Sequence, residues 1–377
     1  MDNFSLLLKP ASADCNLRCR YCFYDDSGQR SAAPQQRRMS QATLQCVLQR
    51  YFATTQEIYS MTWQGGEPTL MGTDFYQRVT DWQKRLAPQG ARVVNCLQTN
   101  ATAVTPELAD HLAHYRFLVG ASLDGPAPVH DRFRKTRAGR PTHTRVVKGI
   151  RLLKNHGVPV NAVCLVSAAN VRRPEDVYRY LTRQGLTHLQ FIPCVEHDDQ
   201  GKPLPWSITG TQWGAFLRRV FALWDTRDKR RVSVRNFESV LARLVTGEAV
   251  QCHMHHRCNQ YLVVEYNGDV YPCDFFVGPE YCLGNLHDTS FEAMRTSEQY
   301  ARFAAQKQAW PEACAQCAYL ELCFGDCLKC RPTNHRGAPS LLCDGWRDFY
   351  AATLPRFKQL AALLPNTGQD YPRVGPA

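Results

Sequence analysis

The chain has 377 residues, 44% of them hydrophobic, which is too apolar for a disordered polypeptide and long enough for one large enzyme domain plus a smaller one. Its net charge of +11 could attract nucleic acid or an acidic partner, but no long basic run concentrates it, so a solubilising surface with no nucleic-acid partner is expected. No stretch has the length of a membrane span, residues 1–15 carry too short an apolar run for a secretion signal, and 17 cysteines suit cluster or metal ligation better than disulfides; the expectation is a cytoplasmic protein with no membrane partner.

Short runs rich in branched residues predict strands at 4–8, 58–63, 93–97, 117–123, 160–166 and 188–193. Helices are predicted between them: 40–51 with Ser40 as N-cap, one opening at Thr105-Pro106, and one over 170–182. Six βα units imply an α/β fold with a parallel sheet, a partial (β/α)6 barrel whose site lies at the C-terminal strand ends. The polar, twice-proline segment 196–207 reads as a long loop, followed by a helix over 211–224. From Cys252 the pattern turns to short turns and dense cysteines, which places a boundary near 235, with domains at 1–235 and 236–377. The tail 366–377 reads as frayed.

Cys15, Cys19 and Cys22 form a C-x3-C-x2-C run just after the first predicted strand. Three thiolates on one short loop can hold three irons of a cubane cluster and leave the fourth open, as a catalytic metal requires. A structural zinc site would need a fourth ligand, and none lies nearby in the sequence. The run resembles that of the radical S-adenosylmethionine (SAM) superfamily, in which SAM chelates the open iron and is cleaved to a 5′-deoxyadenosyl radical. One βα unit later comes Gln64-Gly65-Gly66-Glu67-Pro68. Its glycines permit close backbone approach to a ligand, and Glu67 could accept a hydrogen bond from a ligand ammonium. Alone, such glycines mostly make turns; in this place they resemble the family's SAM-binding motif.

The second cysteine group runs Cys252-x5-Cys258-x9-Gly268-x4-Cys273, then Cys314-x2-Cys317-x5-Cys323-x3-Cys327, then Cys343. Eight thiolates make two closed sites of four, for clusters or equally for zinc. The spacing resembles the SPASM domain, a radical SAM extension with two auxiliary [4Fe-4S] clusters. His253, His255 and His256 are expected to be solvated loop residues, and Cys46, Cys96, Cys164 and Cys194 to be buried. Cys282 and Cys330 stay open.

Over nearly its whole length the chain resembles the anaerobic sulfatase-maturating enzymes: at 5–12, 15–24, 62–70, 97–100, 117–126, 189–192 and 263–275. That resemblance implies oxidation of a sulfatase active-site Cys or Ser to Cα-formylglycine, starting with hydrogen abstraction at Cβ. It implies three [4Fe-4S] clusters: one on Cys15, Cys19 and Cys22, a nearer auxiliary one on Cys252, Cys258, Cys273 and Cys327, and an outer one on Cys314, Cys317, Cys323 and Cys343. SAM would meet Tyr21, Gln64, Gly65, Gly66, Glu67, Ser122, Arg134 and Val195, the last standing where Leu is expected. Asp274, beside Cys273, would be the general base that takes the thiol or hydroxyl proton; by local chemistry alone it would be a turn aspartate. The implied partners are an unfolded or nascent sulfatase polypeptide and an electron donor such as flavodoxin or ferredoxin. Asn100-Ala-Thr replaces the usual Asn-Gly-Thr. Segment 196–207 is expected to face the substrate. Two alternatives remain at this level. One is a SPASM enzyme crosslinking or epimerising another peptide. The other is a zinc-stabilised binding module, which leaves the first cysteine run and the GGEP loop unexplained.

Overall fold

Buried aliphatic and aromatic side chains build six consecutive parallel strands: β1 (Ser5–Lys9), β2 (Ile58–Trp63), β3 (Arg92–Thr99), β4 (Leu118–Ser122), β5 (Val160–Val166) and β6 (His188–Pro193). They are seen in a computed structural model that describes residues 3–26, 37–198, 200–332 and 337–364. The expected frayed tail, 366–377, lies outside the described residues. Each strand follows its expected position, and the connecting helices make every crossover parallel. Four short strands extend the sheet: β7 (Ser233–Val234), β8 (Tyr261–Glu265), β9 (Asp269–Tyr271) and β10 (Gly284–Asn285). The order is β10-β9-β8-β1-β2-β3-β4-β5-β6-β7, so the described sheet is an open, partial barrel. β8 pairs parallel to β1, with Leu6 opposite Leu262 and Lys9 opposite Glu265. The sheet therefore continues across the boundary expected near residue 235.

Local signals set most helix starts. Ser40 accepts a hydrogen bond from Thr43 N–H to cap Gln41–Phe52, and Thr105 caps Pro106–His114 with Pro at the first turn. Thr209 and Gln212 form a capping box on Gly210–Leu223. The helix expected over 170–182 instead spans Pro174–Arg183. Asn170 is wholly buried: its Oδ1 accepts from Ser167 N–H at 2.8 Å, and its Nδ2 donates to Leu165 O at 2.8 Å and Asp124 O at 3.0 Å. These bonds hold 167–173 as a turn and leave Pro174 to begin the helix. The helix Cys343–Ala361 returns onto the barrel, where a Cβ on Gly345 would lie 1.9 Å from Gly210 O. The two backbones touch at glycine, and Trp346, Phe349 and Phe357 join the core of Trp213, Phe221 and Phe237. No helix among the described residues is long and apolar enough to cross a membrane.

Ala101, which stands where the resemblance leads one to expect Gly, is left-handed at φ 57° and 1% exposed. An L side chain there costs about 1–2 kcal/mol, partly offset by the methyl it buries. Ala101→Gly should therefore stay within about 1 kcal/mol of the parent, whereas branched Ala101→Val should cost about 2–4 kcal/mol. Thermal unfolding of the anaerobically prepared protein checks both; an unchanged midpoint for the Val variant would contradict this backbone assignment.

Candidate active site

The loops after β1, β2, β3, β4 and β6 surround a cavity of about 390 Å³, closed on its far side by segments from the cysteine-rich region. The residue just after β1, Pro10, begins a run of tight turns that leads into residues 15–22. There Cys15, Leu17, Cys19 and Tyr21 are buried while Arg18 and Arg20 are exposed, so the thiols face in and the guanidiniums out. The loop is fastened along residues 133–137. Arg18 N–H donates to Lys135 O at 2.8 Å, Arg20 N–H to Phe133 O at 2.9 Å, and Arg137 Nε to Cys15 O at 2.9 Å. Burial, then the charges of Glu67, Cys19 and Cys22, push the Cys15 thiol up to about 12. Such a group becomes a thiolate when a metal replaces its proton, so the donor set fits a cluster.

The GGEP loop lies flush on this cysteine loop. Gly66 N–H donates to Ser12 O and Glu67 N–H to Asp14 O, both at 2.7 Å. A Cβ on Gly66 would lie 2.0 Å from Asp14 O, and one on Gly65, at φ 109°, 2.6 Å from Ser12 O. The close approach expected toward a ligand is thus made toward the neighbouring backbone. Glu67 also departs from expectation. It is fully buried and, unlike Gln64, Gly65 and Gly66, does not line the cavity. Its carboxylate accepts from Thr69 N–H (3.0 Å), Thr69 Oγ1 (2.6 Å), Thr99 Oγ1 (2.7 Å) and Asn100 N–H (2.7 Å). Burial raises its pKa and these donors oppose the rise. Fully buried, with four donors on its carboxylate, Glu67 ties the loop to the end of β3 and is absent from the cavity wall.

Tyr21, Ser122, Arg134 and Val195 do line the cavity. Arg134 donates to the Tyr21 hydroxyl at 3.0 Å, Tyr21 donates to buried Asp124, and Asp124 accepts from Leu165 N–H at 3.1 Å. Asp124 was not singled out from sequence.

Asp274 is 5% exposed and lines the same cavity. Its Oδ2 accepts from the Tyr24 hydroxyl and from Gln64 Nε2 at 3.3 Å, and its Oδ1 lies 3.4 Å from Lys9 Nζ. Lys9, wholly buried, also lies 2.5 Å from Glu265 Oε1 and 4.6 Å from the Tyr24 ring centroid. Burial, then the Asp274 charge, pushes the Tyr24 phenol well above its ordinary value, so it remains a donor. Lys9, Tyr24 and Glu265 were missed as site residues. The available signal was a charge at the end of an otherwise apolar strand, Leu-Leu-Leu-Lys9 and Leu-Val-Val-Glu265, which needs a buried partner.

Cys252, Cys258, Cys273 and Cys327 surround a second cavity of about 30 Å³. Burial raises the Cys343 thiol, and the charges of Cys314, Asp344 and Cys317 raise it further; Cys343 acts likewise on Cys323. Cys252, Cys258, Cys273 and Cys327 thus share one cavity, and Cys314, Cys317 and Cys323 lie near enough to Cys343 for their charges to interact; among the described residues no three Cys, His, Asp or Glu side chains close up as a metal site. Lys307, wholly buried on the wall of the small cavity, donates to His253 O (2.9 Å), Phe324 O (3.3 Å) and Asp326 O (2.6 Å). His253 stacks on Trp346 with centroids 5.2 Å apart rather than standing in solvent. Cys96, Cys164 and Cys194 are buried, whereas Cys46 is half-buried and donates to Leu286 O at 3.1 Å. Cys330 is buried against Cys327, and Cys282 is half-buried beside Gly284.

Residues 10–181 match the Radical SAM superfamily model and residues 247–318 the SPASM iron-sulfur cluster-binding domain. The chain is 34% identical to the serine-type anaerobic sulfatase-maturating enzyme of Bacteroides thetaiotaomicron, over 96% of this chain and 92% of that one. It is 32% identical to the cysteine-type enzyme of Clostridium perfringens, over 96% and 99%. The chain belongs to the anaerobic sulfatase-maturating enzymes. The solved structure of native anSMEcpe with bound AdoMet and Cp18Cys peptide superposes on this enzyme with a TM-score of 0.88 and 31% identity, covering 95% and 99% of the two chains. The enzyme is thus a radical SAM oxidoreductase with an iron–sulfur extension, and the zinc alternative falls.

Gly66→Ala sets a methyl against Asp14 backbone, an overpacking that costs about 1–3 kcal/mol or more. It should lower the unfolding midpoint and also the iron retained after anaerobic reconstitution, because the obstacle is the cysteine loop itself. Iron at the parental level with a parental midpoint would show that the two loops do not bear on each other.

Proposed function

We propose that this enzyme oxidises an active-site Cys or Ser of a sulfatase polypeptide to Cα-formylglycine, with Asp274 as general base. The observation that carries the reading is the placement of Asp274, with Tyr24 and Gln64, on the same cavity as Cys15, Cys19 and Cys22, with buried Lys9 beside its Oδ1. The serine- and cysteine-type relatives, and the peptide in the superposed structure, support the substrate class. A cavity of about 390 Å³ suits a short stretch of an unfolded or nascent chain. We place the enzyme in the cytoplasm, with a flavodoxin or ferredoxin as electron donor.

Cys15, Cys19 and Cys22 would hold the cluster that binds SAM. Cys252, Cys258, Cys273 and Cys327 would hold the nearer auxiliary cluster, and Cys314, Cys317, Cys323 and Cys343 the outer one. Tyr21, Gln64, Gly65, Gly66, Ser122, Arg134 and Val195 would face SAM. When bound, the first cluster and SAM supply a 5′-deoxyadenosyl radical able to take a hydrogen atom from the target Cβ. The chain's own part is to receive the proton from the target Sγ or Oγ at Asp274. Tyr24 and Gln64 hold Oδ2 by donating to it, and Lys9 holds Oδ1, so the carboxylate is oriented before the substrate arrives. Gln64, on the GGEP loop, couples that orientation to the loop packed on the cysteines.

An anaerobic assay with SAM, dithionite and two peptides, Cys-x-Pro-x-Arg and its Ser counterpart, tests the reading. Mass spectrometry should find 5′-deoxyadenosine together with a peptide aldehyde; deoxyadenosine without aldehyde from either peptide would move the reading to crosslinking or epimerisation of another peptide. Asp274→Asn keeps the shape and removes the base. Formylglycine yield should then fall about 100-fold or more, the usual contribution of a general base, while SAM cleavage persists. Parental yield would take Asp274 out of the mechanism.

A further inference from the structure

Along the cysteine loop, buried residues alternate with exposed arginines, so the loop's outer side is cationic. Arg18 and Arg20 are exposed between buried Leu17, Cys19 and Tyr21. The adjoining segment adds exposed Arg132, Lys135, Arg137 and Arg140. The two pieces form one surface because their backbones are joined: Leu17 bridges Thr136, Lys135 bridges Pro141, and Thr136 N–H donates to Arg140 O at 2.9 Å. The carboxylates next to them in the chain are engaged elsewhere. Asp131 accepts from the N–H groups of Thr142 (2.8 Å) and His143 (2.9 Å), and Asp14 pairs with Arg38 at 2.9 Å. Part of the +11 charge is therefore concentrated in space although no basic run shows it in sequence. The surface at Cys314, Cys317, Cys323 and Cys343 is of mixed sign by contrast, with exposed Glu312, Glu321 and Asp344 beside exposed Arg347.

We propose that the face made by Arg18, Arg20, Arg132, Lys135, Arg137 and Arg140 is the docking surface for a small acidic one-electron carrier protein of the flavodoxin type. The inference rests on the ligand roles proposed above for Cys15, Cys19 and Cys22. Opposite charge steers the carrier onto the face, which is the outer side of the loop that carries Cys15, Cys19 and Cys22. The carrier is oxidised by one electron and the cluster at these three thiols is reduced by one; no bond forms or breaks. Half-buried Trp206, its ring 5.8 Å from the Arg20 guanidinium, gives the face an apolar border.

The test pairs two reductants on the holoenzyme. Lys135→Glu with Arg140→Glu reverses two charges at the hairpin, neither of which lines the cavity. Binding of oxidised flavodoxin, followed by its flavin fluorescence at low salt, should weaken about tenfold or more, as for charge reversal at a steered interface. Deoxyadenosine formation with subsaturating reduced flavodoxin should fall in step, while the dithionite-driven rate and the peptide KM stay at parental values. The neutral pair Lys135→Gln with Arg140→Gln should fall between the two and keeps the test open if the reversed pair folds poorly. Binding within twofold of the parent overturns the proposal. So does an equal fall under dithionite, which would make the hairpin a support of the cysteine loop, or a raised peptide KM, which would give the face to an acidic substrate. Failure of the parent itself under dithionite would instead sink the ligand roles on which the proposal rests.

Discussion

The parallel pairing of β1 with β8 is the constraint on which the site depends. It sets Lys9 opposite Glu265 and, through Lys9, fixes Asp274 at the cavity wall. An ammonium with two carboxylates cannot be buried loosely: removing one partner of such a set typically costs about 3–5 kcal/mol, because the others remain unpaired away from water. A slip of one residue between the strands would turn Lys9 and Glu265 to opposite faces. The network therefore acts less as a source of stability than as a register lock. Locked, it holds the start of the cysteine-rich region against the loop that follows β1, so Asp274 shares a cavity with Cys15, Cys19 and Cys22.

A second, purely steric constraint acts on the opposite wall. Gly66 and Asp14 meet backbone to backbone, and Gly345 meets Gly210 in the same way. The first contact joins the GGEP loop to the cysteine loop; the second sets the helix that begins at Cys343 onto the barrel helix Gly210–Leu223. Both junctions bring thiols from distant parts of the chain to set distances from the barrel. Neither could be made by a residue with a side chain.

What was legible in the sequence was local. Alternating and continuous apolar runs located all six βα strands, and Ser40, Thr105 and Pro106 marked helix starts, because strand burial and capping are decided within a few residues. The cysteine spacing was readable as far as the two domains it marks, because both motifs are short and local and the family models match there. What failed was non-local. Asn170 looked helical until its amide was needed by Asp124 and Leu165. Glu67 looked like a ligand group until Thr69, Thr99 and Asn100 had claimed its oxygens. The pairing of β8 with β1 joins residues over 250 positions apart, and no periodicity announces it. The cationic face over residues 15–22 escaped for the same reason: its members are scattered through two segments and converge only in the fold.

Among the described residues two lysines, Lys9 and Lys307, are wholly buried. Lys9 meets carboxylates, whereas Lys307 meets three carbonyls, one for each N–H of an ammonium. Two of those carbonyls belong to Phe324 and Asp326, both held at positive φ between Cys323 and Cys327. A single cation thus fixes the strained turn between Cys323 and Cys327. In a region built to gather eight thiolates, a buried positive charge also lowers the cost of the negative charge that assembly brings together. The chain's buried cations, like its glycine contacts, are spent where separate cysteine groups must be held at fixed distances.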